Sequence, residues 1–233
     1  MKDLIARNNP KSPVAEAFRT IRTNLQFAGV DKKLKTILFT SSMPDEGKST
    51  VIANLGIVMA EAGSKVLIID CDFRNPTQHK VFHLENKGLS NHIANGKSVA
   101  EILQPSGTEG LDVLTSGPVA PNPSEILGSA SMKTLLECAS ERYDYVLIDA
   151  PPVLPVTDAA VLASRVDGVI LITAWNKIDP AMAKESKTRL DKAGAKILGV
   201  LFNKVEVGSN GHGSGYGYGY YHTYGMEEEK VQE

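Results

Sequence analysis

The sequence of 233 residues predicts an α/β fold in which helices cover both faces of a mostly parallel sheet. Its strand candidates are continuous apolar runs, such as Val-Leu-Ile-Ile at 66–69 and Val-Leu-Ile at 146–148. Runs without alternation are typical of parallel strands that are buried on both faces. A third run, Ile-Leu-Phe at 37–39, leads through a loop to Gly-Lys-Ser at the start of a helical pattern. These observations together favour an open parallel sheet with a ligand loop at its edge.

The first strand, loop and helix have the pattern of a phosphate-binding loop. The loop runs from Ser41 to Gly47, and a helix is predicted to begin near Lys48. Backbone N–H groups of such a loop and the helix N-terminus form a positively polarised nest for phosphate oxygens. Lys48 can reach the β- and γ-phosphates, and the hydroxyl of Ser49 is placed to bind Mg²⁺. The predicted fold is therefore a P-loop NTPase-like three-layer sandwich.

The loop departs from the usual G-x-x-x-x-G-K-[ST] pattern at its first position, where Ser42 stands in place of glycine. Serine tolerates a positive φ less well, so the loop entry either adopts another conformation or accepts strain. An ordinary polar turn before a helix is the alternative interpretation, and Gly-Lys-Ser directly at the helix start argues against it. The predicted nucleotide-binding residues of the loop are Ser42, Asp45, Glu46, Gly47, Lys48, Ser49 and Thr50.

Two more predicted strands end in carboxylates. The strand at 65–70 ends in Asp70 and is followed by Asp72 and Arg74, and the strand at 145–149 ends in Asp149. The carboxyl ends of parallel strands border the ligand crevice, so Asp70 and Asp72 are expected to point toward a nucleotide. A role in turn formation before Asn-Pro is the alternative for this pair. In P-loop sites, a carboxylate at the end of a second strand holds Mg²⁺ directly or through water.

The remaining elements complete the alternation of strands and helices. Asp179 and Pro180 are typical of a helix start. Asn203 ends the last strand, where its amide either reads the adenine base or forms a turn. Strands are predicted at 111–114, 168–173 and 196–203, and helices at 89–93, 99–103, 131–142, 158–164 and 179–193, with one more capped near Ser124.

The N-terminal segment predicts a helix over 14–27 that starts at Ser12-Pro13. Glu16, Arg19 and Arg22 fall three residues apart on one face, the spacing at which side chains on a helix are adjacent. These three residues either pair with one another or meet a complementary face of another subunit. An apolar stripe on the neighbouring face is predicted to be buried, and it consists of Val14, Phe18, Ile21 and Leu25, with Ala28 as a further candidate at its end.

Composition narrows the possible classes of protein. The net charge of −2 gives no whole-chain argument for nucleic-acid binding. Residues 1–35 carry eight basic against three acidic residues, so this basic arm either meets an acidic partner or is simply solvated. Two cysteines without a CxxC spacing indicate a reducing compartment. The N-terminus lacks the apolar core of a signal peptide, and no apolar run approaches the ~20 residues of a membrane span, so a cytoplasmic location is expected.

The C-terminal segment differs in composition from the rest of the chain. Residues 208–233 hold seven glycines, five of the seven tyrosines and almost no aliphatic residues, which predicts a disordered tail. Stacking on single-stranded nucleic acid is one alternative, but it requires interleaved Lys or Arg, and residues 208–229 contain none. Exposed phenolic hydroxyls on a nucleotide-binding protein indicate phosphate acceptors. The predicted acceptors are Tyr216, Tyr218, Tyr220, Tyr221 and Tyr224.

In this order, the motifs resemble those of the bacterial tyrosine kinases encoded with capsule and exopolysaccharide genes. The separate cytoplasmic form of Gram-positive bacteria is the more similar one. The resemblance spans essentially the whole chain, and the serine at 42 belongs to the family's own loop pattern. Its motifs are Glu-x-x-Arg-x-x-Arg at 16–22, Ser-Met-Pro-Asp-Glu-Gly-Lys-Ser at 42–49, Val-Leu-Ile-Ile-Asp-Cys-Asp-Phe-Arg at 66–74, Val-Leu-Ile-Asp-Ala-Pro-Pro at 146–152 and the tyrosine cluster.

The resemblance implies a protein-tyrosine autokinase that uses ATP and Mg²⁺, phosphorylates its tail in trans and regulates capsule or exopolysaccharide synthesis. It implies a homo-oligomeric ring formed through Glu16, Arg19 and Arg22. Further implied partners are a membrane-anchored activator with a cytoplasmic segment, protein-tyrosine substrates and a cognate tyrosine phosphatase, but no nucleic acid. The protein would then be cytoplasmic and recruited to the membrane by its partner.

The family also implies roles for the site residues. Lys48 and the loop amides would hold the phosphates, and Ser49 would bind Mg²⁺ with Asp72 and Asp149 holding its waters. Asp70 would be the base that accepts the tyrosine proton, although the sequence leaves Asp72 open for this role. Arg74 would be a phosphate contact or a structural clamp.

A non-kinase ATPase switch of the septum-site and chromosome-partition type is the alternative function, since such proteins share the same core. Their loop carries an additional lysine at the position of Met43, and both its absence here and the tyrosine tail favour the kinase. A regulatory scaffold without catalysis is a third reading, and it would leave the tail unmodified. The predicted organisation is an N-terminal arm at 1–35, a kinase domain at 36–207 and a disordered tail at 208–233.

Overall fold

The computed structural model describes residues 4–30, 33–96 and 98–205, and the predicted tail with its five tyrosines lies outside these ranges. The described strands are β1 (Thr36–Ser41), β2 (Val66–Asp70), β3 (Leu103–Pro105), β4 (Leu111–Leu114), β5 (Tyr145–Asp149), β6 (Gly168–Ala174) and β7 (Ile197–Asn203). They form one sheet in the order β3-β4-β2-β5-β1-β6-β7. All neighbouring pairs are parallel except β3 with β4, so the predicted mostly parallel sheet is confirmed.

The helices between these strands have recognisable caps. The Ser12 hydroxyl accepts a hydrogen bond from the N–H of Ala15, and the Asp179 carboxylate accepts one from Ala181, as expected for N-caps. Within the described part of the chain, no helix combines the length and the apolar character that crossing a membrane requires. The helices are α1 (Ile5–Asn8), α2 (Pro13–Ala28), α3 (Lys48–Glu61), α4 (Gln78–Val81), α5 (Leu89–Asn95), α6 (Val99–Ile102), α7 (Pro123–Gly128), α8 (Ala130–Arg142), α9 (Asp158–Ala163) and α10 (Pro180–Lys192).

Helices pack on both faces of the sheet, which makes the predicted three-layer sandwich. One core lies between the sheet and α1, α2 and α3, and the other between the sheet and α7 to α10. Successive residues of β1 divide between them, because Ile37 and Phe39 enter the first core and Leu38 the second. Every residue of β1, β2 and β6 is buried. This two-sided burial is the reason that these strands show no alternation in the sequence.

The N-terminal segment packs directly on α3. Leu4, Ala6, Phe18 and Leu25 belong to the same core as β1, and the N–H of Ala6 donates to Oδ1 of the buried Asn54 in α3 at 2.9 Å. The predicted domain boundary at residue 35 is therefore crossed by core packing, although its validity as a boundary stays a prediction.

The predicted helix at 14–27 is confirmed, but part of its buried stripe is wrong. Val14 is 53% exposed and Ala28 is also exposed, whereas Ala15 is fully buried. The buried face of α2 is therefore displaced from the predicted stripe at both ends of the helix. The strand β3 and the helix α4 were not predicted, because runs of three and four residues carry no readable period.

The sheet order brings the predicted site residues to one edge. β5 lies between β2 and β1, and Asp149 is in register with Asp70 on one side and with Phe39 on the other. The loop that follows β1 therefore starts beside two strand-end carboxylates. The carboxyl ends of β6 and β7 flank the same loop on its other side.

Candidate active site

The loop between β1 and α3 turns through two left-handed residues. Asp45 has φ of 62° and Gly47 has φ of 88°, and these are the positive-φ residues of the loop, all of which the structure describes. Ser42 is not among them, so the serine at the first position causes no left-handed strain. It is fully buried, and its hydroxyl accepts a hydrogen bond from the Ser186 hydroxyl at 2.8 Å. The loop entry uses a different conformation, the first of the two predicted outcomes.

Glu46 holds the loop in place from within. Its side chain is fully buried, with Oε1 accepting from the N–H of Met43 at 2.7 Å and Oε2 from the N–H of Ala174 at 2.8 Å. Its own carbonyl accepts from Nδ2 of Asn203 at 2.8 Å. Both carboxylate oxygens are therefore engaged with backbone, and Glu46 connects the loop to the ends of β6 and β7.

The outer side of the loop is held by the end of β7. The Asp45 carbonyl accepts from Nζ of Lys204 at 2.7 Å. A Cβ atom on Gly47 would lie 2.2 Å from Nδ2 of Asn203, so glycine is required there both by φ and by the close approach. Since the Asn203 amide nitrogen already donates to the loop, its predicted contact with adenine stays a prediction.

The first turn of α3 brings two predicted residues to the strand ends. Lys48, 7% exposed, is the first residue of the helix, which begins where the sequence predicted. The side chains of Ser49 and Lys48 both favour the charged form of the Asp149 carboxylate. Thr50 follows in the same turn and is half-buried. The loop, the lysine and the carboxylate of β5 therefore form one site.

Asp149 is fully buried at the end of β5. Burial raises the pKa of its carboxyl group, while the charge of Lys48 and the side chains of Ser49 and Gln78 oppose this shift. Oδ2 accepts from Nε2 of Gln78 at 2.8 Å. Oδ1 is buried and has no hydrogen-bond partner among the described residues. One oxygen of this carboxylate therefore remains available to a ligand.

Asp70 and Asp72 differ in accessibility. Asp70 is fully buried and accepts the backbone N–H groups of Asp72, Thr77 and Gln78 at 3.1, 2.9 and 2.9 Å. Burial and the neighbouring Asp149 raise the pKa of Asp70 to about 8, against the opposing effect of these backbone donors. Asp72 is 8% exposed, and its Oδ1 accepts from the N–H of Asn75 at 2.9 Å. Asp72 is thus the carboxylate that a molecule outside the protein can reach more readily.

Arg74 is held in an ion pair away from the loop. Its Nε and Nη2 donate to Oδ2 and Oδ1 of Asp158 at 3.0 and 3.2 Å, a bidentate pair. Asp158 is fully buried and also accepts from the Ser124 hydroxyl at 2.8 Å, while the Arg74 side chain is 46% exposed. Arg74 was predicted to be either a phosphate contact or a structural clamp, and this geometry supports the structural clamp. The sequence offered no signal for Asp158 as its partner.

The Glu-x-x-Arg-x-x-Arg residues lie on α2 and are not part of this site. Glu16 and Arg19 pair at 2.8 Å, and Nη2 of Arg19 also donates to the carbonyl of Pro10 at 2.7 Å. Nη1 of Arg22 donates to the Val58 carbonyl in α3 at 3.4 Å. Part of the predicted pairing within the face is therefore present, and contact with another subunit stays a prediction.

Gln78 is the site residue that the sequence analysis missed. It is fully buried at the start of α4 and contacts both Asp70 and Asp149. No pattern marks it, because a single glutamine after Asn-Pro-Thr resembles any polar turn residue.

A phosphate loop between a central strand and a helix, with carboxylates at the ends of β5 and β2 on one side of it, defines the class of P-loop NTPases, which bind nucleotides. An AAA domain model matches residues 34–178, more than half of the chain. The chain belongs to the bacterial tyrosine kinases of the capsule family, as its relatives show. It is 44% identical over 203 residues to tyrosine-protein kinase YwqD of Bacillus subtilis, covering 87% of this chain and 86% of the relative. It is 40% identical over 208 residues to the putative tyrosine-protein kinase CapB of Staphylococcus aureus, covering 89% and 91%.

Solved structures agree with this assignment. The kinase domain of Escherichia coli tyrosine kinase ETK superposes with a TM-score of 0.85 at 36% identity, covering 93% of this chain and 86% of that one. The chimerical protein CapA2B2 superposes with a TM-score of 0.83 at 41% identity, covering 87% and 89%. The septum-site protein MinD of Pyrococcus horikoshii gives 0.63 at 25% identity, covering 72% and 70%. The predicted family and fold are confirmed.

Proposed function

We propose that this protein is an ATP- and Mg²⁺-dependent protein-tyrosine autokinase that phosphorylates its C-terminal tyrosine cluster in trans. The observation that carries the proposal is the meeting of Lys48, Ser49 and Asp149 at the loop, with the more accessible Asp72 beside them. Phosphoryl transfer depends mainly on positioning and on charge neutralisation, and these residue types supply both. The names of the relatives support tyrosine as the acceptor. Regulation of capsule or exopolysaccharide synthesis, which the family resemblance implies, is part of the same proposal.

The residues present fit a magnesium–nucleotide complex. The buried Oδ1 of Asp149, unpartnered among the described residues, is an acceptor for a cation or for one of its waters. Ser49 would be the direct metal ligand and Asp149 would hold its waters, with Lys48 and the loop amides on the phosphates; Asp72, first expected to share the metal's waters, is assigned another role below. The metal would neutralise part of the phosphate charge. Asp45 and Glu46 shape the loop through backbone contacts, and a contact between Asn203 and the adenine base is part of the proposal.

Asp72 is the better candidate for the base that accepts the tyrosine proton. A general base must come within hydrogen-bond distance of the hydroxyl that it deprotonates. Both oxygens of Asp70 accept backbone N–H groups, and the residue has no exposed surface. We therefore assign Asp70 to holding the turn between β2 and α4, in place of the role first expected for it.

Assembly into a ring is proposed through the Glu16, Arg19 and Arg22 face of α2. The guanidinium of Arg19 and the carboxylate of Glu16 are both partly exposed, so they can exchange their internal pair for partners on another subunit. A membrane-anchored activator with a cytoplasmic segment would recruit the protein to the membrane, and a cognate phosphatase would reverse the modification. Each phosphotyrosine adds about −1.5 to −2 charges, so a fully modified tail is expected to weaken assembly.

Intact-mass analysis before and after incubation with ATP and Mg²⁺, with the activator's cytoplasmic segment present, tests the kinase. We expect up to five phosphate additions, which map to Tyr216, Tyr218, Tyr220, Tyr221 and Tyr224 and are absent from Lys48→Met. To test transfer in trans, Lys48→Met is mixed with an active chain whose five tail tyrosines are changed to phenylalanine. Phosphate on the Lys48→Met chain supports the proposal.

The second candidate function is a non-kinase ATPase switch, which the likeness to MinD favours. An unmodified tail despite ATP hydrolysis, with the activator segment present, would contradict the kinase and support this alternative.

A further inference from the structure

Gln78 connects three elements of the site through one buried side chain. Its Nε2 donates to Oδ2 of Asp149 at 2.8 Å and to the backbone carbonyl of Ser49 at 3.1 Å. Its backbone N–H donates to Oδ2 of Asp70 at 2.9 Å. Gln78 therefore connects the ends of β2 and β5 to the first turn of α3. The proposed phosphoryl transfer assigns no other role to this residue.

The amide of Gln78 can adopt this orientation only. Both atoms that face Nε2 are acceptors, a carboxylate oxygen and a carbonyl oxygen, so a flipped amide would set Oε1 against them. In the observed orientation Oε1 is buried without a hydrogen-bond partner among the described residues. A buried acceptor without a partner is unfavourable. The fold therefore tolerates an unsatisfied Oε1 while Nε2 makes its hydrogen bonds to Asp149 and Ser49.

Because of this contact, the two carboxylate oxygens of Asp149 differ in their hydrogen bonding. Oδ2 is engaged by Gln78, and Oδ1 is buried and free of partners in the described part of the chain. A carboxylate that rotates freely offers either oxygen to a cation, whereas one that is fixed by a neighbour offers a single oxygen in a set geometry. Outer contacts of this kind orient the groups that hold a metal.

We propose that Gln78 is a positioning residue that fixes Asp149 and the first turn of α3 for the binding of a magnesium–nucleotide complex. The inference rests on the proposed function, because it requires Asp149 and Ser49 to act on the metal. Gln78 itself touches neither nucleotide nor substrate. Its loss is therefore expected to weaken the contribution of Mg²⁺ to nucleotide binding more than nucleotide binding itself.

The test is the affinity for a fluorescent ADP analogue, measured in Mg²⁺ and again in EDTA, for the full chain and for Gln78→Met. Methionine keeps the length and approximate volume of glutamine but cannot donate. We expect the ratio of the two affinities to fall about tenfold in the variant, with the affinity in EDTA within about twofold of wild type. Gln104→Met is the matched control, since its Nε2 also donates to a backbone carbonyl, that of Glu85 at 2.9 Å. Its ratio should be unchanged.

The outcomes separate this inference from the proposed function. If Mg²⁺ does not strengthen nucleotide binding in wild type, the proposed metal role of the site is wrong. If it does, and Gln78→Met keeps the full ratio or loses affinity equally in Mg²⁺ and EDTA, Gln78 is merely structural and the inference is overturned. Thermal unfolding shows whether the variant folds. Should it not, Gln78→Asn, which keeps the amide but is one methylene too short to reach Asp149 in the same way, is measured with the same expected direction.

Discussion

Replacement of Gly47 by alanine tests how the phosphate loop is held against β7. Gly47 has φ of 88°, and a Cβ atom there would lie 2.2 Å from Nδ2 of Asn203. A left-handed conformation costs a non-glycine residue about 1–2 kcal/mol. Displacement of the Asn203 amide also removes its 2.8 Å hydrogen bond to the Glu46 carbonyl, which contributes about 0.5–1.5 kcal/mol. We therefore expect Gly47→Ala to lower the free energy of unfolding by about 2–3 kcal/mol in urea titrations.

A glycine at the other end of α3 provides a matched control for this experiment. Gly63, beyond the C-terminus of α3, also has φ of 88°, but a Cβ atom there has no heavy atom of the described residues within 4 Å. Gly63→Ala therefore carries the conformational cost alone, and the effect of alanine on the unfolded chain is common to both variants. The difference between the two variants isolates the steric clash with Asn203, and we expect about 1 kcal/mol.

A double-mutant cycle with Asn203→Ala gives the refuting result. Once the asparagine side chain is absent, the methyl group of Gly47→Ala has no clashing partner, so the double variant should be less destabilised than the sum of the single variants by about 1 kcal/mol. Additive effects, or equal costs for Gly47→Ala and Gly63→Ala, would show that Asn203 does not brace the loop.

Two further predictions concern buried carboxylates. Because the pKa of Asp70 is raised from 3.8 to about 8, the folded chain without nucleotide and Mg²⁺ binds a proton that the unfolded chain releases, so the stabilising contribution of Asp70 falls as pH rises from about 4 to 8. Urea titrations at pH 5 and 8.5 should show wild type losing stability relative to Asp70→Asn over this range, and a constant difference would contradict the shift. Among the described residues, Arg74→Met leaves the hydroxyl of Ser124 as the side-chain partner of the buried Asp158. This variant should cost about 2–3 kcal/mol, less than for a fully buried pair because Arg74 is 46% exposed. Arg74→Lys should recover only part of the lost stability, since lysine cannot form the bidentate contact. An Arg74→Met variant as stable as wild type would show that the ion pair is unimportant for stability.

Local pattern accounts for most of what was predictable here. The strand at 66–70 has apolar residues at 66–69 without alternation because both of its faces are covered, and this pattern can be recognised from the residue types alone. Lys48 was located at the start of α3 because Gly-Lys-Ser combines a left-handed residue with a helix start. Asp70 and Asp149 were expected together because the carboxyl ends of parallel strands share one edge, and their register confirms this.

Predictions failed where a residue's role depends on a partner distant in sequence. Val14 and Ala15 are neighbours with similar apolar character, and only the packing of α2 on α3 decides which one is buried. Arg74 and Asp158 are 84 positions apart, and neither has a local feature that marks an ion pair.

The sequence by itself determined most of the strands and helices, the phosphate loop and the family, because these depend on residue types at short, regular spacings. The tertiary structure alone decided that Glu46 supports the loop from within, that Asp72 is more accessible than Asp70, and that Gln78 joins two carboxylates. Each of these roles follows from burial and from hydrogen bonds between segments up to 157 residues apart. Side-chain identity sets which bonds are possible, and the fold sets which of them form.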